Sequence, residues 1–123
     1  MKSMRELTKA EEQLMKVVWQ LEKGTIKEIT EAMPEPKPAY NTVATVLKVL
    51  KGKEFVGVEA NGNLFTYYPL VVEKDYRRFA FDKVFDGYFN GSYHSLVSFL
   101  VEEKDLDAET HERLKQLAEK LKD

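Results

Sequence analysis

Residues 40–68, YNTVATVLKVLKGKEFVGVEANGNLFTYY, carry two periodicities in succession. In the first half Val43, Val46, Leu47 and Leu50 fall on one side of a helical wheel, the spacing of a buried stripe. Asn41, Thr45 and Lys48 fall opposite, flanked by Thr42, Ala44 and Lys51, so the outward face is short, polar, basic and free of acids. After Glu54 the period drops to two. Val56 and Val58 alternate towards Ala60, Asn61-Gly62 is a strong two-residue turn signal, and Leu64 to Tyr68 reads as a returning strand. A helix with a small polar face followed by a hairpin is the pattern of a winged helix-turn-helix. The helix enters the major groove and the hairpin, or wing, reaches the backbone alongside.

Upstream, two capping boxes mark two more helices. Thr8 with Glu11 opens a helix from Leu7 to Leu21, with Leu14, Val17, Val18 and Leu21 as its apolar stripe and Gly24 as its stop. Trp19 lies on that apolar side and is expected to pack in the core rather than anchor a ligand. Thr25 with Glu28 opens a short helix through Met33. Pro34-Glu35-Pro36-Lys37-Pro38 then forbids helix until about Tyr40, because each proline removes a donor and restricts its predecessor. Residues 1–70 are therefore expected to form a winged-helix DNA-binding domain.

Downstream, residues 71–123 read as a helical dimerisation region. A segment from Val72 to about Phe89 holds Tyr76, Phe79, Phe81, Phe85, Tyr88 and Phe89. Asn90-Gly91 stops it and Ser92 caps the next helix, Tyr93 to Val101, which is apolar at Leu96 and Leu100. Asp107 caps a last amphipathic helix carrying Leu114 and Leu117. These helices hold more large apolar side chains than a short tail can hide, which favours a homodimer interface over folding back on the same chain. The fold class expected is mostly α with one small β-hairpin.

The 123 residues include no cysteine, which excludes disulfides, thiolate metal sites and cysteine nucleophiles. No apolar run approaches the ~18 residues of a membrane span and no signal peptide is apparent, so a cytoplasmic protein without membrane insertion is expected. The net charge of -2 argues against a general nucleic-acid coat protein, but its distribution is uneven. Between Pro36 and Lys53 every charged residue is basic, namely Lys37, Lys48, Lys51 and Lys53, while acids gather around Glu102-Glu103 and beyond Asp105. His94 and His111 lack a Ser, Cys or paired ligand at useful spacing, and the acidic run lacks the glycine turn of a calcium loop. Neither enzyme activity nor a cofactor nor a metal is expected.

These residues, in this order, resemble the penicillinase-repressor (BlaI/MecI) family of winged-helix repressors. The resemblance runs from Leu7-Thr8-Lys9-Ala10-Glu11 through Leu14-Met15, Val18-Trp19 and Thr42-Val43-Ala44-Thr45. It resumes at Tyr67-Tyr68-Pro69-Leu70-Val71, takes in Phe89-Asn90-Gly91-Ser92 and Leu96-Val97, and ends near Asp105-Leu106. It implies a homodimeric repressor of dyad-symmetric operators, dimerising through intertwined C-terminal helices. Thr42 and Thr45 match the two threonines that open the family's recognition helix. The resistance branch also implies a regulatory protease that leads to cleavage between Asn and Phe; this chain aligns Phe99-Leu100 there. Val49 aligns with a family Arg, and Glu54 stands at a family Gly, leaving Gly52 as the expected helix stop. The cysteine pairs of the copper-responsive branch are missing.

The DNA-binding set expected is Lys37, Tyr40, Asn41, Thr42, Thr45, Lys48, Lys51, Lys53 and Asn61, on a double-stranded operator. The rival reading is a winged helix used only for protein contacts. Acidic net charge and a wing tip without Lys or Arg favour the rival, whereas the acid-free third helix and the family pattern favour the repressor.

Overall fold

Two threonines set the first two helices. In the computed structural model, which describes residues 4–122, the Thr8 hydroxyl accepts from the Glu11 N–H at 3.2 Å and Glu11 Oε1 accepts from the Thr8 N–H at 3.0 Å. Thr25 and Glu28 make the same reciprocal pair at 3.1 and 2.8 Å. Both expected capping boxes thus open their helices, α1 (Lys9–Leu21) and α2 (Ile26–Ala32). The proline run delays α3 to Tyr40–Gly52, and β1 (Val56–Asn61) and β2 (Leu64–Pro69) follow as an antiparallel pair. Three helices complete the chain: α4 (Glu73–Phe89), α5 (Tyr93–Val101) and α6 (Ala108–Leu121). The architecture is mostly helical with one hairpin, as the periodicities led us to expect.

The chain divides into two compact units, Met1–Arg77 and Arg78–Asp123. In the first, Leu14, Met15 and Val18 of α1, Ile29 of α2, and Val43, Leu47 and Leu50 of α3 meet Phe55 and Val56, all almost inaccessible to water. Trp19 is half-buried and its indole N–H donates to the Val71 carbonyl at 2.8 Å, a packing role with its polar atom satisfied. Tyr76 is 5% exposed. Its hydroxyl accepts from the Leu7 N–H at 2.9 Å, and its ring stands edge-on to Phe55 with centroids 5.6 Å apart. The first turn of α4 is therefore part of the winged-helix core.

The hairpin register differs by one residue from the turn signal. Asn61 pairs with Leu64, so the two loop residues are Gly62 and Asn63 rather than Asn61 and Gly62. Gly62 has φ +66°, the requirement at the first loop position of a type II′ turn. The register is fixed further down the ladder, where Gly57 faces Tyr68 and a Cβ on Gly57 would lie 2.5 Å from Tyr68 Cζ. Only glycine fits under that ring, and a loop at Asn61-Gly62 would instead set Thr66, two residues along β2, opposite Gly57. The other edge of β2 is held by Gly24, which exchanges backbone hydrogen bonds with Tyr67 at 3.0 and 2.7 Å.

That role for Gly24 explains why it does not terminate α1. The left-handed position is Glu22, at φ 65°. Gly52 likewise is the last residue of α3, and the left-handed position after it is Glu54, at φ 66°. Both glutamates carry a Cβ where glycine is the natural choice.

Glu11 is the buried charged residue of the described structure. Lys53 Nζ lies 2.6 Å from Glu11 Oε1 and so ties the first turn of α1 to the end of α3. Burial pushes this carboxyl upward, but hydrogen bonds from the Lys53 ammonium and the Thr8 N–H outweigh it and hold it below its ordinary 4.5.

In the second unit Asn90 and Gly91, both at positive φ, turn the chain out of α4. Ser92 Oγ accepts from the Ser95 N–H at 3.1 Å to open α5, and Asp107 Oδ1 accepts from the Thr110 N–H at 2.7 Å to open α6. Phe81 stacks on Phe85 at 5.3 Å, Phe85 packs on Tyr93 at 4.7 Å, and Phe89 stands edge-on to Phe99 at 5.5 Å. Only Phe85 and Val97 are buried among the described residues of this unit, and α6 buries none.

Glu54→Gly should stabilise the protein by about 0.5–1 kcal/mol, the left-handed strain relieved less the flexibility glycine adds to the unfolded chain. A higher urea midpoint at unchanged m-value checks it; a lower midpoint would mean that Glu54 makes contacts worth more than its strain. Glu11→Gln should cost about 1.5–3 kcal/mol at pH 7, the range for hydrogen bonds to charged groups. A carboxylate with a depressed pKa stabilises the fold above its unfolded value near 4.5 and loses that contribution as pH falls through the folded value. The gap between wild type and Glu11→Gln in urea melts should therefore narrow below pH 4.5; a pH-independent gap would assign the effect to packing.

Candidate nucleic-acid interface

The buried stripe of α3 fixes which residues face outward. With Val43, Leu47 and Leu50 inaccessible, Asn41, Thr42, Thr45 and Lys48 are all exposed, together with Val49 and Lys51. Val46, expected in the stripe, is only half-buried at its edge. Tyr40 is exposed at the N-terminus of the helix. No acid lies between Tyr40 and Gly52. The N-terminus of α3 also lacks a side-chain cap, whereas α1, α2, α5 and α6 each have one. Its first-turn N–H groups are left facing outward with partial positive charge. The Thr45 hydroxyl donates to the Asn41 carbonyl at 2.9 Å, so towards a ligand it offers lone pairs and a methyl group.

The four lysines of this region divide into two pairs. Lys48 and Lys51 are exposed, and their ammonium groups take part in no ion pair or hydrogen bond among the described residues. Lys37 is exposed but donates to the Glu31 and Met33 carbonyls, where it neutralises the C-terminal end of α2, and it lies 4.0 Å from Glu35. Lys53 is held in the ion pair with Glu11. Charge counting along the sequence could not separate these pairs, because the partners of Lys53 and Glu11 are 42 positions apart.

Asn61 is exposed on the wing, on the strand side of the turn. Its neighbours Leu64 and Phe65 are exposed too and were not among the residues singled out from sequence. The sequence signal for them is an apolar pair directly after a glycine turn.

The aromatic residues expected at a dimer interface separate in the same manner. Tyr76 is engaged in the first unit, and Phe85, 8% exposed, is the centre of the second. Phe79, Phe89, Leu96 and Leu114 are half-buried, and Lys83 Nζ sits 5.3 Å over the Phe79 ring. Phe81, Leu100 and Leu117 are exposed, and Tyr88 is 82% exposed. Val84, Tyr88, Phe89 and Phe99 line an open apolar hollow of about 450 Å³. Phe99 and Leu100 lie within α5 and are both exposed. Among the described residues no His, Cys, Asp or Glu cluster could hold a metal, and no helix is long and apolar enough to cross a membrane.

Comparison with known proteins places this geometry. A profile of the penicillinase repressor family matches residues 7–120. The methicillin resistance regulatory protein MecI of Staphylococcus aureus (strain N315) is 27% identical over 116 residues, covering 94% of each chain. The penicillinase repressor of Bacillus licheniformis is 26% identical over 123 residues, 99% of this chain and 96% of its own. The solution structure of the DNA-binding domain of the repressor BlaI matches with a TM-score of 0.53 at 27% identity, over 62% of this chain and 94% of that one. Monomeric Bacillus licheniformis BlaI in complex with the blaP half-operator matches with a TM-score of 0.52, again at 27% identity and over 62% and 94% of the two chains. With a winged helix in its first unit and family similarity over nearly its whole length, the chain belongs to the penicillinase repressor family, whose members are transcriptional repressors and not enzymes.

Proposed function

We infer that this protein is a homodimeric repressor that binds a dyad-symmetric promoter operator and blocks transcription by occupancy. The observation that carries the reading is the exposed, acid-free outer face of α3, held by a fully buried inner face in a winged helix. Asn41, Thr42 and Thr45 present exposed, short polar side chains of the kind that read base edges in the major groove, with Tyr40 at the entry. Lys48 and Lys51 meet phosphates, and the uncapped N-terminus of α3 accepts another, since aligned N–H groups favour an anion. In this reading Lys37 and Lys53 contribute mainly by fixing the start and the end of α3, and secondarily as charge near the backbone. Asn61 brings the wing to the duplex beside the helix.

The homodimer is argued from the second unit. Its buried core of Phe85 and Val97 is thin for three helices, while Phe81, Val84, Tyr88, Phe99, Leu100 and Leu117 remain exposed. A second copy covering this surface gives each protomer the apolar burial it lacks alone. Residues 78–123 then act as the dimerisation region, and the residues up to Arg77, which include the first turn of α4, as the DNA-binding head. Two heads on two half-sites follow from the symmetry of the pair.

Lys48→Ala should weaken operator binding and lower the slope of log affinity against log salt by about 0.9 for each head, since each lost phosphate contact removes that amount. An unchanged slope would take Lys48 off the phosphates. Thr45→Ala should change the ranking of operator variants while leaving dimerisation intact; an equal loss on every sequence would remove its base-reading role. Tyr88→Ala should lower the dimer fraction in sedimentation and operator affinity with it, and a monomer that binds the full operator as tightly would break that coupling. The decisive measurement for the whole reading is a mobility shift on the protein's own upstream DNA at two salt concentrations. A folded dimer that shows no specific, salt-sensitive shift would favour the rival reading, a winged helix serving protein contacts, which the neutral wing supports.

A further inference from the structure

The wing is exposed at its tip and has almost no charge. Glu59 is the one charged residue from Val56 to Pro69, and its carboxylate lies 2.7 Å from Lys23 Nζ. Beyond it the tip reads Ala60-Asn61-Gly62-Asn63-Leu64-Phe65, every residue exposed, with Leu64 and Phe65 leaving 54% and 50% of their surface in water. The register sets Asn61 opposite Leu64 and Ala60 opposite Phe65. Two amides and two large apolar side chains thus surround a narrow glycine turn.

This set is unsuited to tracking phosphates, which takes cations and releases counterions. It matches what enters a minor groove. Asn side chains pair with the adenine N3 and thymine O2 acceptors, and Leu or Phe inserts as an apolar wedge against sugars and base steps. The absence of acids at the tip lets it approach a polyanion without repulsion. A head whose α3 occupies the major groove leaves its wing beside the flanking minor groove, so the position suits the chemistry.

We propose that the wing tip reads the minor groove of A·T-rich duplex flanking the α3 site, with Asn61 and Asn63 reading base edges and Leu64 and Phe65 acting as wedges. This rests on the DNA-binding reading above. The wing contributes sequence preference that is independent of salt, while α3 and its lysines contribute the salt-dependent share.

The test is in vitro selection from a randomised duplex library using the full chain, followed by titration of the selected duplex at several salt concentrations. Wild type, the double variant Leu64→Ser/Phe65→Ser and the single variant Asn63→Ala are compared. All three positions are at least half exposed or lie in the turn, and thermal melts verify that each variant folds. Wild type should enrich A·T pairs flanking the α3 site. Exchanging those pairs for G·C should weaken binding by about fivefold or more. Inosine·cytosine pairs, which lack the guanine 2-amino group, should restore it. Both variants should lose the flanking preference at an unchanged salt slope, in contrast to Lys48→Ala. Flanks selected without A·T bias, or a bias retained in both variants, would overturn the assignment while leaving the α3 reading intact. Variants that alter self-association and leave duplex preference untouched would make the tip a protein contact and overturn it as well. A wild type that selects no duplex would remove the DNA-binding reading and the wing assignment together.

Discussion

Val43, Leu47 and Leu50 have no accessible surface, and a helix buried at positions i, i+4 and i+7 has no freedom to rotate about its axis. What α3 offers to solvent is therefore set by what it hides. The same apolar centre takes in Phe55 and Val56, so the wing leaves the core at a fixed point one short turn after α3. From there the Gly57–Tyr68 contact and the Gly24–Tyr67 bridge determine how the strands pair and where the tip falls. The face of α3 and the base of the wing are consequently two outputs of one packing arrangement, and neither can move without exposing Leu47 or Phe55.

Electrostatics work within that frame and reduce the apparent charge of the interface. Of the four lysines around α3, Lys53 neutralises a buried carboxylate and Lys37 covers the carbonyls that end α2. An unpaired Glu11 would be costly, since a carboxylate at 8% exposure keeps little hydration. The ammonium that relieves this cost is drawn from the outward surface. Lys48 and Lys51 remain, and two free lysines on α3 contribute little through counterion release alone. Shape, hydrogen bonding and the joining of two heads must supply the rest in the proposed mode.

Much of this could be read from the chain in advance, for reasons tied to range. Thr8/Glu11, Thr25/Glu28, Ser92 and Asp107 act within three residues of themselves, and each of these caps forms as its spacing indicates. The α3 stripe was legible because helical period is local as well. What escaped was decided at a distance. Gly24 looked like a helix stop but was claimed by Tyr67, leaving Glu22 in the left-handed position. Gly52 looked like a second stop, whereas the backbone turns at Glu54. Asn61-Gly62 carried the stronger turn propensity, yet the ring of Tyr68 over Gly57 moved the loop to Gly62-Asn63. Tyr76 shares a segment with five other aromatic residues, and its partners in the first unit, Leu7, Trp19 and Phe55 among them, distinguish it from them.

The second unit has the opposite balance. Its helices are well capped, so they form from local signals, but their packing buries only Phe85 and Val97 among the described residues. Local order without a sufficient core is the condition under which association and folding become linked, because in the proposed dimer the surface that completes the core belongs to another copy. The winged helix needs no such help, since its nine largely inaccessible apolar side chains are internal. A repressor built this way keeps its reading head intact whatever its state of assembly. Assembly then controls affinity alone, by turning the second half-site contact into an intramolecular one. In the proposed dimer, a signal that disturbs the exposed surface around Tyr88 and Phe99 would release the operator without unfolding the head.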